Sequence, residues 1–364
     1  MNSAVLLYTM RCNISCEHCS VSSHPKRTEK MPLERAVELA KGLCRLPGLE
    51  FIDISGGEPM LYKREILEIA RAVKEEGKSV RIVTNGFWAR TPEKAVEHLC
   101  EMRDAGVSSV GVSIDTWHLK FLDPQLVNNY VEGCRAAGLV PFLSCVIGGA
   151  EAGGGAFPES VRVLLRRYGV DEAECVHIQS WAVERAGLGV AARREFDREF
   201  GRRHILIAWQ YLTGEGEARS LPVLTVPFAD TPPEPCDAAG HLPTVDEAGR
   251  LYPCCSPWVS RKEHAMGVID RDSAAGAVGG LLQDPYVRVL HTYGPKELID
   301  VLRRRGVSFP DEHSGICNQC GILMDRLSLD ELRSVSAELL NYKKCLSILG
   351  IGESPREPLK QKTV

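Results

Sequence analysis

Three absences in this 364-residue chain each exclude a class of protein. Charge of one sign is not in excess: 44 Lys+Arg against 48 Asp+Glu leave a formal charge of −4, no electrostatic footprint for nucleic acid or another polyanion. No apolar run approaches the roughly 20 residues that cross a bilayer. The opening residues, Met1-Asn2-Ser3-Ala4-Val5-Leu6-Leu7-Tyr8, carry no basic stretch and meet Arg11 and Cys12 too early for a secretory signal. With 44% hydrophobic and 25% charged residues, the expectation is a soluble, cytoplasmic, globular chain of about two structural units at roughly 150 residues each.

What the chain does have is cysteine, 14 of them. In a reducing compartment so many thiols point to metal ligands or redox groups rather than to a disulfide framework. Cys12, Cys16 and Cys19 crowd the N-terminus, while Cys236, Cys254, Cys255, Cys317 and Cys320 fall in the last third. Cys44, Cys100, Cys134, Cys145, Cys175 and Cys345 stand singly, mostly in apolar patterns that suit small buried hydrophobes.

Up to about residue 180, β-rich runs (5–9, 50–54, 79–84, 108–114, 140–146, 174–179) alternate with helical patterns (32–46, 63–76, 92–105, 124–137, 158–168). Several helices open with Pro in the first turn, where the missing amide costs nothing. The alternation predicts an α/β fold of parallel strands and crossover helices, either a partial (β/α)6 TIM-like barrel or a doubly wound sheet. In both, the C-terminal ends of the strands converge on one site. Unusual residues sit at those exits: Arg11 to Cys19, Ser55-Gly56-Gly57-Glu58-Pro59, Thr84-Asn85-Gly86, Ser113-Ile114-Asp115, Ile147-Gly148-Gly149 and Gln179.

Cys-x3-Cys-x2-Cys in one loop can wrap a single iron–sulfur cube, three thiolates leaving one iron open. A tetrahedral zinc site would need His18 as fourth ligand, awkwardly adjacent to Cys19. Gly56 and Gly57 allow close backbone approach, and the Glu58 carboxylate can accept from an ammonium group.

Together these residues resemble the radical S-adenosylmethionine (SAM) enzymes over about residues 4–180. The family motif Cys-x3-Cys-x-φ-Cys is met with His18 where an aromatic is usual, and Gly-Gly-Glu-Pro is met in full at 56–59. The resemblance implies a [4Fe–4S] cluster on Cys12, Cys16 and Cys19 whose open iron chelates SAM beside His18. It implies the methionyl ammonium at Gly56, Gly57 and Glu58, the ribose near Ser113 and Asp115, and the adenine near Gly148 and Gln179. It further implies one-electron cleavage of SAM to a 5′-deoxyadenosyl radical that takes hydrogen from a substrate C–H, with an external donor such as flavodoxin or ferredoxin.

In the last third, Pro-rich 231–235 reads as a connector, followed by a β-hairpin ending at Cys254. Cys236, Cys254, Cys317 and Cys320 make a full set for an iron–sulfur cluster without an open iron, or for zinc. Their arrangement resembles the twitch domain, the shortened SPASM domain, and so implies one auxiliary [4Fe–4S] cluster. The expected organisation is a barrel at 1–185 and a helical linker at 186–230. A smaller C-terminal twitch domain of β-hairpin plus helices follows at 231–327, then a capping helix at 328–352 and a polar tail at 353–364.

Adjacent Cys254 and Cys255 point opposite ways in an extended strand, one to the cluster and one to the cavity. A thiol has a weak S–H bond and can quench a carbon radical from the face opposite the abstraction, inverting a stereocentre. Cys255 is the first candidate donor and Cys145, at the fifth strand's exit, the second. Trp117, His118, Trp181, Glu184 and Arg185 read as cavity-lining. A first cluster cysteine at residue 12 leaves no room before it for a leader-gripping module. This tilts the expected substrate toward a sugar or aminocyclitol of natural-product biosynthesis, and the reaction toward epimerisation. The alternatives are a dehydrogenase that oxidises a secondary alcohol through the auxiliary cluster, a peptide-modifying enzyme, and a non-catalytic metal-binding protein. Neither nucleic acid nor membrane is expected as a partner.

Overall fold

The computed structural model describes residues 1–148, 157–185, 190–255 and 258–349. Five strands, β1 (Ser3–Thr9), β2 (Phe51–Gly56), β3 (Ser79–Thr84), β4 (Val107–Ile114) and β5 (Phe142–Ile147), lie side by side in chain order and parallel. Helices α1 (Leu33–Cys44), α2 (Lys63–Glu75), α3 (Pro92–Ala105), α4 (Gln125–Ala137) and α5 (Glu159–Tyr168) follow them. The third helix shows how locally such ends are encoded. The Thr91 side chain accepts from the Lys94 amide, Pro92 occupies the first turn, and Gly106 ends the helix at φ 111°.

After β5 the order departs from the expected one. The sixth run shrinks to β6 (Cys175–His177) and lies at the sheet edge. The strand bonded to β5 is β7 (Ile205–Tyr211), reached through α6 (Ile178–Arg185) and α7 (Val190–Arg203). The segment expected as a helical linker thus supplies the sixth stave. Ile205, Leu206 and Ile207 are buried, and this apolar run takes the interior place while half-buried β6 stays outside it.

At the other edge, β9 (Thr244–Val245) pairs parallel with β1, and β10 (Leu251–Tyr252) pairs antiparallel with β9. The expected hairpin therefore continues the main sheet. Its turn is held by the Asp246 carboxylate, which accepts from the Ala248 and Arg250 amides, with Gly249 at φ 80°. Short strands β8 (Val226–Pro227) and β11 (Glu312–His313) form a separate antiparallel pair. Five more helices complete the described chain: α8 (Ala274–Gly279), α9 (Pro285–Thr292), α10 (Pro295–Arg304), α11 (Ile316–Met324) and α12 (Leu329–Ile348). The last opens with a reciprocal cap between Ser328 and Glu331. The tail expected at 353–364 lies outside the described residues.

Strand alternation sorts the side chains into two cores and a lumen. Ile52, Ile54, Val80, Ile82, Val110 and Val112 face the helices in the larger core, each such burial contributing roughly 1.5–3 kcal/mol. On β1, Ala4, Leu6 and Tyr8 join that core, whereas Val5 and Leu7, with Met10 just past the strand, join a second one with Tyr252, Cys254 and Trp258. The inner face of the other staves is built differently. Registered neighbours there include Ser55, Ser109, Gly111, Ser113, Ser144 and Ala208, and Val83 on the same face is 40% exposed. A closed barrel of eight strands fills its centre with branched aliphatics. Here that face carries small and polar side chains instead.

Candidate active site

The first strand delivers the cysteine loop to the barrel mouth. Thr9 closes its root, its hydroxyl donating to the Glu29 carbonyl at 3.0 Å and accepting from the Arg11 amide at 3.0 Å. Cys12 and Cys16 are buried and Cys19 half-buried, all with free thiols. Burial lifts the Cys12 thiol to about 11, and the nearby Glu58 carboxylate and Cys19 thiol add to the rise. Burial raises Cys16 and Cys19 in the same direction. The Ser23 amide donates to Cys19 Sγ at 3.3 Å, and Asn85 bonds Asn13 beside Cys12 at 2.8 Å. Three thiols in one loop, with donors on the sulfurs of Cys12 and Cys19, suit a cluster held by three ligands.

His18 does not complete a zinc tetrahedron with these cysteines. Its Nε2 lies 3.1 Å from Asp115 Oδ2, and its ring stacks on Trp117 at 4.5 Å. Asp115, 1% exposed at the exit of β4, accepts from the Trp117 and His118 amides at 2.9 Å and from His118 Nδ1 at 2.7 Å. Burial pushes its carboxyl up, but the hydrogen bonds from His118 and His18 outweigh that and hold it well below the usual range. The carboxylate expected at a ribose thus orients two imidazoles. Ser113, two residues earlier on the inner face, keeps partial exposure.

The two glycines have a neighbour other than a ligand. A Cβ on Gly56 (φ 133°) would sit 2.2 Å from the Thr9 carbonyl oxygen, and one on Gly57 2.1 Å from that of Arg11. The Gly57 amide donates to Thr9 and the Glu58 amide to Arg11, seating the exit of β2 on the root of the cysteine loop. The Glu58 carboxylate corrects a sequence expectation. It is 0% exposed and accepts from the Met60 amide (2.9 Å), Thr84 Oγ1 (2.8 Å) and the Asn85 amide (2.7 Å). Its oxygens brace the exit of β3, so main-chain groups, not the carboxylate, remain for an ammonium. Burial pushes this carboxyl up to about 7 against those bonds.

Two other expectations fail on geometry. Cys145 is 0% exposed between Leu143 and Ile147 in the helix-facing core, because the two-residue strand period turns it away from the lumen. Its thiol is closed off from the lumen. Gln179 is exposed on α6 beyond the edge strand β6. The sixth stave's exit is instead Gln210–Tyr211 of β7, a position the sequence reading missed although its aromatic and β-branched run was visible. Gly148 lies exposed after β5 with open space around it, and Gly149 falls outside the described residues.

In the last third, Cys236, Cys254, Cys317 and Cys320 line one small cavity with Trp258 and Leu290. Cys317 and Cys320 sit three apart on α11, so both face it. Trp258 Nε1 is buried without a partner among the described residues. Four thiols and an orphaned donor at one cavity fit an iron–sulfur group with acceptor sulfides. Cys255 does not line this cavity: it is partly exposed, and its thiol is raised by burial and then by the Asp53 carboxylate of the inner wall of β2 and by the Cys236 thiol. Cys255 thus stands between the four-cysteine cavity and the inner wall, near Cys236 and Cys317 on one side and Asp53 on the other.

A strap that no motif announced ties the two cysteine groups together. Buried Glu215 accepts from Arg261 Nη1 at 2.7 Å and from Asn318 Nδ2 at 3.3 Å, next to Cys317. Two residues on, the Glu217 amide donates to the Cys19 carbonyl at 3.0 Å. A Cβ on the intervening Gly216 would lie 2.4 Å from the same oxygen.

Among known proteins, the Radical SAM superfamily model matches residues 6–136. YydG of Bacillus subtilis (strain 168), named for peptide biosynthesis, is 24% identical over 336 residues, 91% of this chain and 92% of that protein. A protein of Methanocaldococcus jannaschii named a probable GTP 3′,8-cyclase is 30% identical over 142 residues, 36% of this chain and 45% of its own length. Among solved structures, native anSMEcpe with bound AdoMet aligns over 96% of this chain and 99% of that one. The identity is 14% and the TM-score 0.51, a likeness of fold.

Proposed function

We propose that this chain, which matches the Radical SAM superfamily model over residues 6–136, is a radical SAM enzyme that inverts a stereocentre in a peptide, with Cys255 as hydrogen donor. Cys12, Cys16 and Cys19 would hold the SAM-binding [4Fe–4S] cluster, and Cys236, Cys254, Cys317 and Cys320 one auxiliary [4Fe–4S] cluster. The chemistry supplied by the bound cluster and SAM is reductive cleavage to methionine and a radical that takes a hydrogen atom from a C–H bond.

One observation carries the choice of inversion. The cysteine loop follows β1 at the C-terminal mouth of the barrel. Tyr252 lies opposite Thr244, and Thr244 opposite Val5, and β10 runs against both strands. Cys255 follows three residues after the end of β10, and its thiol lies near the Asp53 carboxylate of the inner wall. Delivery from that wall would meet a substrate carbon on the face away from the cysteine loop.

Cys255 gives its Sγ hydrogen atom to the carbon radical, forming the new C–H bond, while the original hydrogen leaves with 5′-deoxyadenosine. Restoring the thiol from the thiyl takes one electron, from the external low-potential donor, and one proton from solvent. A secondary-alcohol dehydrogenase has no use for a thiol there. A peptide substrate is supported by the relative that spans nearly the whole chain and is named for peptide biosynthesis. The sugar expectation rested on the position of Cys12, which does not bear on a peptide delivered by a separate partner.

The test is turnover in D2O on a library of N-acetylated, C-amidated peptides. Wild type incorporates one solvent deuterium per inverted residue. Cys255→Ala still forms 5′-deoxyadenosine but gives no inverted, deuterated residue. Equal deuterium in that variant overturns the assignment.

A further inference from the structure

On the inner wall, Asp53 of β2 and Arg81 of β3 are registered neighbours. Arg81 Nε and Nη2 both reach the Asp53 carboxylate, Nη2 at 2.6 Å, and the guanidinium carbon stands 4.6 Å from the Phe51 ring centroid. Flanking Ile52, Ile54, Val80 and Ile82 are sealed under the helices, whereas the two charged side chains keep 14% and 37% exposure toward the lumen. Partly solvated ion pairs add little to folding, and desolvated ones often less than an apolar pair of the same volume. Stability therefore does not explain two charges in the middle of a barrel wall.

Their surroundings are those of a binding surface. Arg81 is flanked across β4 by Ser109, Val83 by Gly111, and the exposure of Val83 shows that no side chain fills the space in front. Cys255 lies close enough to Asp53 to feel its charge.

We propose that the Asp53–Arg81 pair is the substrate-reading element of the lumen and that it binds the backbone edge of one extended peptide residue. Side-on pairing consumes Nε and Nη2 and leaves Nη1 without a partner among the described residues. The Asp53 oxygens retain lone pairs beyond those two bonds. The pair is neutral overall and offers one fixed donor beside one fixed acceptor. One extended residue presents the complement along its edge, its N–H to Asp53 and its C=O to Nη1. A free carboxylate is repelled by Asp53 and an ammonium by Arg81, so the preferred ligand is internal peptide rather than a chain end. A backbone held there brings a Cα to the side of Cys255, so the inference deepens the peptide reading and rests on it.

The test is retention of an equimolar library of N-acetylated, C-amidated hexapeptides by the anaerobically reconstituted holoenzyme with SAM. Bound peptides are counted by mass spectrometry after ultrafiltration. Wild type retains a subset, and the same sequences with N-methylated backbones are lost at least tenfold, a comparison that needs no variant. Asp53→Asn and Arg81→Lys, with folding checked by circular dichroism, each lower retention at least tenfold. Retention by wild type that survives both N-methylation and these substitutions overturns the role of the pair while leaving the peptide reading intact. No library peptide retained by wild type overturns the peptide reading, and this inference with it.

Discussion

At the scale of single residues, burial decides role. Glu58 is the case with a measurable signature. Its carboxyl is raised from 4.5 to about 7 in the fold, so the native state holds the proton more tightly than the unfolded chain. The stability this gives is complete below pH 4.5 and lost as pH rises through 7, on the order of 3 kcal/mol across the window. Urea titrations of metal-free protein between pH 4.5 and 8 should show the decline, and Glu58→Gln should flatten it. Cys145 and Cys255 teach the same lesson. Both stand at strand ends as plausible thiols, and only the parity of β5 against the helices separates the core residue from the one beside Asp53.

At the scale of elements, the first five strands and their helices were legible because apolar periodicity and Pro, Thr and Gly caps are local signals. The cysteine spacing and the Gly-Gly-Glu-Pro turn were legible for the same reason. What lay hidden was non-local. The competition between β6 and β7 for the edge of β5 is settled by burial of Ile205 to Ile207, and Glu58 turns inward because Thr84 and Asn85 await it from another strand. The glycine turn also makes a prediction of its own. A methyl on Gly57 would enter the Arg11 carbonyl, so Gly57→Ala should displace the cysteine loop. Reconstituted iron should fall from about eight to about four per chain, the loss confined to the N-terminal cluster.

At the scale of the whole molecule, the strap from Glu215 to Glu217 makes the two cysteine groups one mechanical unit. Arg261, 3% exposed, also bonds Asp325 at 2.7 Å. Arg261→Met leaves buried Glu215 with only Asn318 and a longer contact to Arg219 at 3.8 Å, and should cost about 3 kcal/mol in urea unfolding. A Glu215→Leu/Arg261→Met double variant should recover much of that, since the stranded charge is then gone.

The late arrival of β7 has a consequence for how the wall is completed. Until the chain through Tyr211 is available, β5 presents a bare row of amides and carbonyls, the kind of edge that recruits foreign strands. A fragment cut at 185 would end with that seam open and should be prone to clumping. One cut at 230 carries its own seal.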